Sequence, residues 1–263
     1  MNKSLIALAL VGAFAAPAFA QEAPASPHTV TGNVSLATDY IFRGISQTNH
    51  KPAIQGGVDY SHASGLYAGT WASNVDWVSP GIEDNNSMEW DFYAGYKGAV
   101  TSDISYDLGV LQYYYPGDKK AGIPEADSTE IYAAASWKFL TLKYSHTVSS
   151  HLFGWTGYSN GTFNNDNTRG SGYFDLSSSF DLGNGWGVGA HIGHQTIKNN
   201  SAASYTDWKL GVTKDVGFGV VALAYTDTNA KGCGNVDRMY CWGANGDKDV
   251  GKARGVLSFS KSF

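Results

Sequence analysis

The segment Ser145-His146-Thr147-Val148-Ser149-Ser150-His151 puts hydroxyls beside imidazoles, the raw material of nucleophilic catalysis. A nucleophile needs a base within hydrogen-bond reach and a third group that orients the base. Neighbours on an extended chain point to opposite faces, so Ser145 and His146 do not meet. His191 and His194, three apart, also face opposite sides and make a poor metal pair. Gly183–Gly189 contains G-x-G-x-G but opens no helix, so it reads as a turn rather than a phosphate cradle. Asn164-Asn165-Asp166-Asn167 and Asp247–Asp249 could offer oxygens to Ca²⁺, but neither has the spacing of a Ca²⁺-binding loop. Both read as hydrated loop. Neither an enzyme nor a cofactor- or metal-binding protein is expected.

A larger set of charges shares one parity. Asp39, Arg43, Asp59, Glu89, Asp91, Asp107, Glu130, Lys143, Asp175, Lys209 and Arg254 alternate with apolar residues along extended segments. Residues two apart on a strand share a face, so each segment has one greasy and one wet side. Seven acids and four bases on the wet side could line a water-filled lumen with mild cation preference. They could instead neutralise one another as a wall of salt bridges in a filled barrel. Arg43 is placed near a mouth, where it could pair with Asp39 or Glu89, or stand at a constriction and orient an anionic group of a solute.

The elements that would carry these charges are strands. The apolar face begins with Val30, Gly32, Val34, Leu36, Tyr40 and Phe42. It continues through Ile54, Val58, Tyr60, then Tyr67, Trp71, Val75, then Met88, Trp90, Phe92, Tyr96. Eight further segments run on to Leu257, Phe259 and Phe263, which makes twelve strands. Gln112 continues the greasy parity of strand five, with Tyr113 and Tyr115 on the opposite face, and suggests a bulge or the end of a span. Links alternate between short and long: Ser61–Gly65, Gly98–Ser102, Lys138–Phe139, Gly183–Gly185 and Lys214–Gly217 are short. Gly44–Pro52, Asp76–Asn86, Pro116–Asp127, Ser149–Ser171, Lys198–Ser204 and Asn229–Lys248 are long. Up-and-down membrane barrels do this, with short periplasmic turns and long extracellular loops. The expected fold is an all-β, antiparallel, transmembrane barrel of about twelve strands.

The chain ends and composition agree. Lys3, an apolar run from Leu5 to Ala16 and the small-x-small box Ala18-Phe19-Ala20 read as an export signal cleaved before Gln21. The apolar run is too short for a membrane helix. Removing the first 20 of 263 residues leaves a single barrel domain over residues 21–263. The net charge of −5, more negative still once Lys3 is gone, argues against a nucleic-acid partner. Aromatics make up 14% and charged residues only 16%, a mixture that suits a wall with lipid on one side and water on the other. Trp71, Trp90, Trp137, Trp186 and Trp208 fall near strand ends, as an interfacial girdle would, rather than as a sugar-stacking track in the lumen. Phe263 ends an alternating strand like the signal read by the barrel assembly machinery, and Lys261 on the same face can snorkel to headgroups. Cys233 and Cys241, with seven residues between them, read as one loop-closing disulfide in an exported protein.

Several motifs carry a resemblance. Tyr40–Val75 contains Y-I-F-R-G-I-S-Q-T, P-A-I-Q-G-G-V-D-Y-S-H and S-G-L-Y-A-G-T-W-A-S-N-V. With them go E-W-D-F-Y-A-G-Y (Glu89–Tyr96), Y-Y-Y-P-G (Tyr113–Gly117), Lys143-Tyr144-Ser145, D-W-K-L-G-V-T-K-D (Asp207–Asp215) and the terminal S-F-S-K-S-F. Together they resemble the TorF family of porins across nearly the whole chain, weakening in Ser149–Ser171 and Asn229–Lys248. The resemblance implies an outer-membrane barrel with a pore, with outer-membrane lipid and small hydrophilic solutes as partners. A non-conducting barrel used for adhesion or docking, and a secreted soluble β module, are the alternatives.

Overall fold

The computed structural model describes residues 26–263 apart from 80 and 244. The export signal expected over residues 1–20 lies outside the described residues. Twelve long strands alternate along the chain: β1 (His28–Ala37), β2 (Ala53–His62), β3 (Leu66–Asn74), β4 (Met88–Ala99), β5 (Ile104–Tyr114) and β6 (Ser128–Trp137). They continue with β7 (Leu140–Thr147), β8 (Gly172–Gly183), β9 (Trp186–Thr196), β10 (Tyr205–Asp215), β11 (Val220–Thr228) and β12 (Arg254–Ser262). Each pairs antiparallel with its neighbours in sequence, and β1 pairs with β12, so the sheet closes into a barrel. Phe263 seals the seam: its N–H donates to the Gly32 carbonyl at 2.9 Å and its carbonyl accepts from the Gly32 N–H at 3.2 Å. Closure leaves no edge of unpaired backbone groups.

Alternation sets which side faces out. Val30, Leu36, Val58, Leu108, Ile131, Leu142, Leu176, Ile192, Leu210, Leu223 and Leu257 are all exposed. They form an aliphatic belt. Aromatics lie above and below it: Trp90, Phe174, Trp208 and Tyr225 toward the long-loop end, and Tyr96, Trp137, Phe139, Phe180 and Trp186 toward the short-turn end. Several pair ring to ring, such as Tyr144 with Phe174 and Phe139 with Phe180. An apolar band between two aromatic girdles is the surface of a barrel that meets hydrocarbon.

Four expectations need correction. Strand one stops at Ala37, and Tyr40, Phe42 and Arg43 belong to the following loop, with Tyr40 buried inside the barrel. On β3 the parity is the reverse of that expected: Leu66 and Ala68 face out, and Tyr67 and Trp71 face in, followed by the buried Val75. Tyr67 hydrogen-bonds Asp107, and Trp71 packs edge-on against Tyr40, so these rings have interior partners that a periodicity argument does not see. Trp71 is therefore not part of the girdle. Gln112 sits in unbroken register with Phe92 and Thr129, and its amide oxygen accepts from the Thr129 hydroxyl at 2.5 Å. The register shift in these ladders lies between Asp181 and Gly183, beside a tight turn.

Tyr67 and Tyr132 lie along the wall rather than across the lumen. Tyr67 faces Gly95 on β4, and Tyr132 faces Gly109 on β5, in direct cross-strand register. A Cβ at Gly95 or Gly109 would collide with the facing ring, so glycine there makes room for a flat tyrosine.

A test of the outward face follows. Leu210→Arg, at mid-belt, is expected to cost ~2–4 kcal/mol of stability in lipid vesicles, measured by reversible urea unfolding. Stability unchanged from wild type would mean that this face does not meet hydrocarbon.

Candidate functional site: a plugged and charged lumen

The loop after β1, residues 38–52, enters the barrel. Ile41 pairs with Ser46 and Phe42 with Ile45, and Arg43 and Gly44 form the tip with φ of 46° and 78°. Two successive positive φ values make the tight turn whose twist suits a hairpin. Gly44 rests against Asp207 and Thr228, where a Cβ would overlap both side chains. The hairpin therefore spans the lumen from the β3–β5 side to β10 and β11.

Polar anchors hold it there. The Arg43 guanidinium donates to both Glu130 carboxylate oxygens at 3.0 and 2.6 Å and to Gln195 Oε1 at 2.7 Å. It also lies over the Tyr173 ring at 4.4 Å. Tyr40 donates its hydroxyl to Glu89 at 2.8 Å, and Tyr115 donates to the other Glu89 oxygen at 2.6 Å. Asp39 accepts from Ser46 at 2.6 Å and Thr48 at 2.9 Å, and faces His50 at 3.1 Å and Arg254 at 3.5 Å. The expected pairing of Arg43 with Asp39 or Glu89 is thus replaced by Glu130. The hairpin carries Arg43 away from strand one, and two parallel N–H···O bonds favour the carboxylate it reaches across the lumen.

An apolar core seats the same loop. Tyr40, Val75, Val78, Leu111, Tyr113, Tyr115 and Ala126 pack together, with Phe42, Trp71, Trp77 and Phe153 against them. A second cluster of Ile45, Leu152, Ile197, Ala203, Tyr205, Met239, Tyr240 and Val250 joins the hairpin to the last three long loops. Trp77 and Trp242 meet at 5.7 Å between ring centroids, so the loops at 75–87 and 229–253 touch. Cys233 and Cys241 are disulfide-bonded within the latter loop. Lys119 bridges Glu83 at 2.9 Å and Asp127 at 3.2 Å. Burial alone would lower the Lys119 ammonium, but these two carboxylates hold it above its ordinary value. The loop Ser149–Ser171 contributes Leu152 and Phe153 to the cover, and both pack with residues of the loop at 38–52.

The charges expected on the wet face separate into two arcs. Asp59, Glu89, Asp91, Asp107 and Glu130 stand on the inward faces of β2 to β6. Asp59 accepts from Tyr93 at 2.5 Å and Asp107 from Tyr67 at 2.6 Å. Lys143, Asp175 and Lys209 stand on β7, β8 and β10, with the Lys143 ammonium 4.0 Å over the Tyr132 ring. Of the inward charged groups, His191, Asp207 and Lys97 escaped the sequence reading. His191 faces Asp175 at 2.5 Å and Asp207 at 2.7 Å, and Lys97 lies 5.1 Å from the Tyr67 ring. Its cross-strand register with Lys209, on the same face as Asp207, is the signal that places His191 inward. His194 points outward to Thr206, so the two histidines do face opposite sides.

A model of the Gcw_chp family, described as a bacterial protein of unknown function, matches residues 21–263. The chain belongs to the Gcw_chp family. No curated protein matches its sequence. Among solved structures, the KdgM porin is similar with a TM-score of 0.52 and 7% identity, over 89% of this chain and 99% of that one. The KdgM porin in complex with disordered oligogalacturonate gives 0.51 at 6% identity over the same shares. The NanC porin aligns at 0.49 and 11% over 89% of this chain and 99% of that one. At these identities the KdgM likeness speaks to the fold: this Gcw_chp chain is a porin-like closed barrel.

Arg43 and Glu130 are both buried, so removing one strands the other. Arg43→Met alone is expected to cost about 3–5 kcal/mol in equilibrium unfolding, and Arg43→Met with Glu130→Leu distinctly less. Equal losses in the single and double variants would show that the ion pair does not hold the hairpin.

Proposed function

We propose that the protein is an outer-membrane channel for passive diffusion of small hydrophilic solutes, with a mild preference for cations. The observation that carries this is the closed barrel with an exposed apolar belt outside and charged side chains inside. Charges of this kind facing lipid would cost ~2–4 kcal/mol per Lys or Arg at the midplane, whereas a hydrated lumen accommodates them. Twelve strands give a bore wider than that of filled eight-stranded barrels and narrower than that of sixteen-stranded porins. The motifs that resemble TorF porins, and the porin-like fold, support the same reading. In this reading the short turns face the periplasm and the long loops face outward. Insertion would follow export, with Phe263 presented to the assembly machinery.

The proposed cation preference rests on the inward acids, which outnumber the bases and gather on one arc. A ring or arc of carboxylates raises the local concentration of cations. Refolded protein in planar bilayers under a KCl gradient is expected to give a reversal potential of the cation-selective sign. Asp59→Asn with Asp107→Asn should move it toward zero. Anion selectivity in the wild type would refute the preference.

A second reading is favoured by the packed loops: a barrel that does not conduct and presents its outer surface to a partner. Arg43→Ala separates the two. A channel constricted by the hairpin should show higher single-channel conductance in this variant. Absence of conductance in both wild type and variant, together with no liposome swelling over ions, sugars and organic acids, would favour the non-conducting barrel.

A further inference from the structure

Asp91 is buried, and its Oδ1 has no hydrogen-bond partner. A buried ionised carboxylate is costly unless something of opposite charge or a donor meets it. Its surroundings define what that something is. In register on the same face stand Trp71 of β3 and Tyr113 of β5. Glu89 and Tyr93 flank it on its own strand, two residues to either side. Tyr40 of the inserted hairpin packs on Trp71. Glu89 is already held by Tyr40 and Tyr115, and Glu130 by Arg43 and Tyr113. Among the described residues, Asp91 has no such neutralising side chain. Asp91 and Tyr113 are themselves buried, while Trp71 and Tyr93 beside them are half-buried, so an approach to the carboxylate runs past those two rings.

A carboxylate flanked in cross-strand register by Trp71 and Tyr113 favours an ammonium group. The acid supplies charge and a hydrogen-bond acceptor, and the rings supply the negative faces of their quadrupoles. A hydrated divalent metal is a poorer fit, because it asks for several oxygen ligands and Asp91 offers a free acceptor among rings. We propose that Asp91, Trp71 and Tyr113 form a lumen subsite for the protonated amine of a small organic solute. This rests on the channel reading and narrows it: the favoured solutes are small hydrophilic amines, the group entering beside the hairpin and shifting from Asp91 back to water.

The test separates binding from conduction. Tryptophan fluorescence of refolded wild type in a maltoside detergent is titrated with propylammonium chloride and with KCl at matched ionic strength. Propylammonium should give a saturable change that KCl does not. Asp91→Asn should weaken it at least about tenfold, and Tyr113→Leu should weaken it while keeping the carboxylate. Heat-modifiable gel mobility confirms that each variant is a folded barrel, and Tyr113→Leu decides the matter if Asp91→Asn does not refold. No saturable propylammonium signal, or equal affinity in the folded variants, overturns the subsite. Saturable binding without conductance in planar bilayers would instead leave the subsite standing and remove the channel.

Discussion

Hydrocarbon offers backbone N–H and C=O groups nothing to bond to, and the whole molecule is arranged around that fact. Each barrel strand must find a partner on both sides, which a chain of antiparallel hairpins achieves only if the last strand returns to the first. The seam between β1 and β12, finished by the Gly32–Phe263 pair, is where that demand is met. Closure then forces every second side chain inward. An interior of alternating positions cannot be all aliphatic, because the outer face already uses the aliphatic residues against lipid. The inner face therefore collects tyrosine, glycine and charge.

That interior is too wide for side chains alone to fill, and the hairpin at Ile41–Ser46 takes up the space near the long-loop end. Its hold is mixed in character. Tyr40 and Phe42 bury rings among aromatics from the wall, and Arg43 crosses to Glu130. A buried ion pair is weak evidence for stability in itself, since desolvation of both charges offsets much of their attraction. Its value here is geometric. Two parallel hydrogen bonds to Glu130 and one to Gln195 fix where the tip lies, and so fix the shape of the interior left beside it. The surplus of acids on β2–β6, against Lys143 and Lys209 offset by Asp175 and Asp207 on β7–β10, places a field across that space.

Much of this architecture was legible in the residues. Strand number and the short–long order of links came from alternation, because outward positions must be apolar for ten residues at a stretch while inward positions are free to be polar. The same logic explains where the reading failed. On β3, Tyr67 and Trp71 are aromatic and face inward, where Asp107 and the hairpin supply partners from other parts of the chain. Outward Thr70 and Ala72 on that strand are too small or too polar to mark the lipid face. An aromatic residue fits both sides of such a wall, so its type does not reveal its direction. His191 was missed because one histidine on a wet face carries no signal until its two aspartate neighbours are seen.

By itself the sequence determined the class of fold, the closed topology, the lipid-facing belt and the pairing of Cys233 with Cys241. All of these rest on local rules: period-two alternation, link length and loop closure over a few residues. Only the tertiary structure decided that residues 38–52 leave the wall and enter the lumen, that Arg43 meets Glu130, and that Asp91 lies buried without a partner. Those contacts join residues far apart in the chain. Their energies depend on what surrounds them after closure, and alternation along a strand holds no information about which loop turns inward.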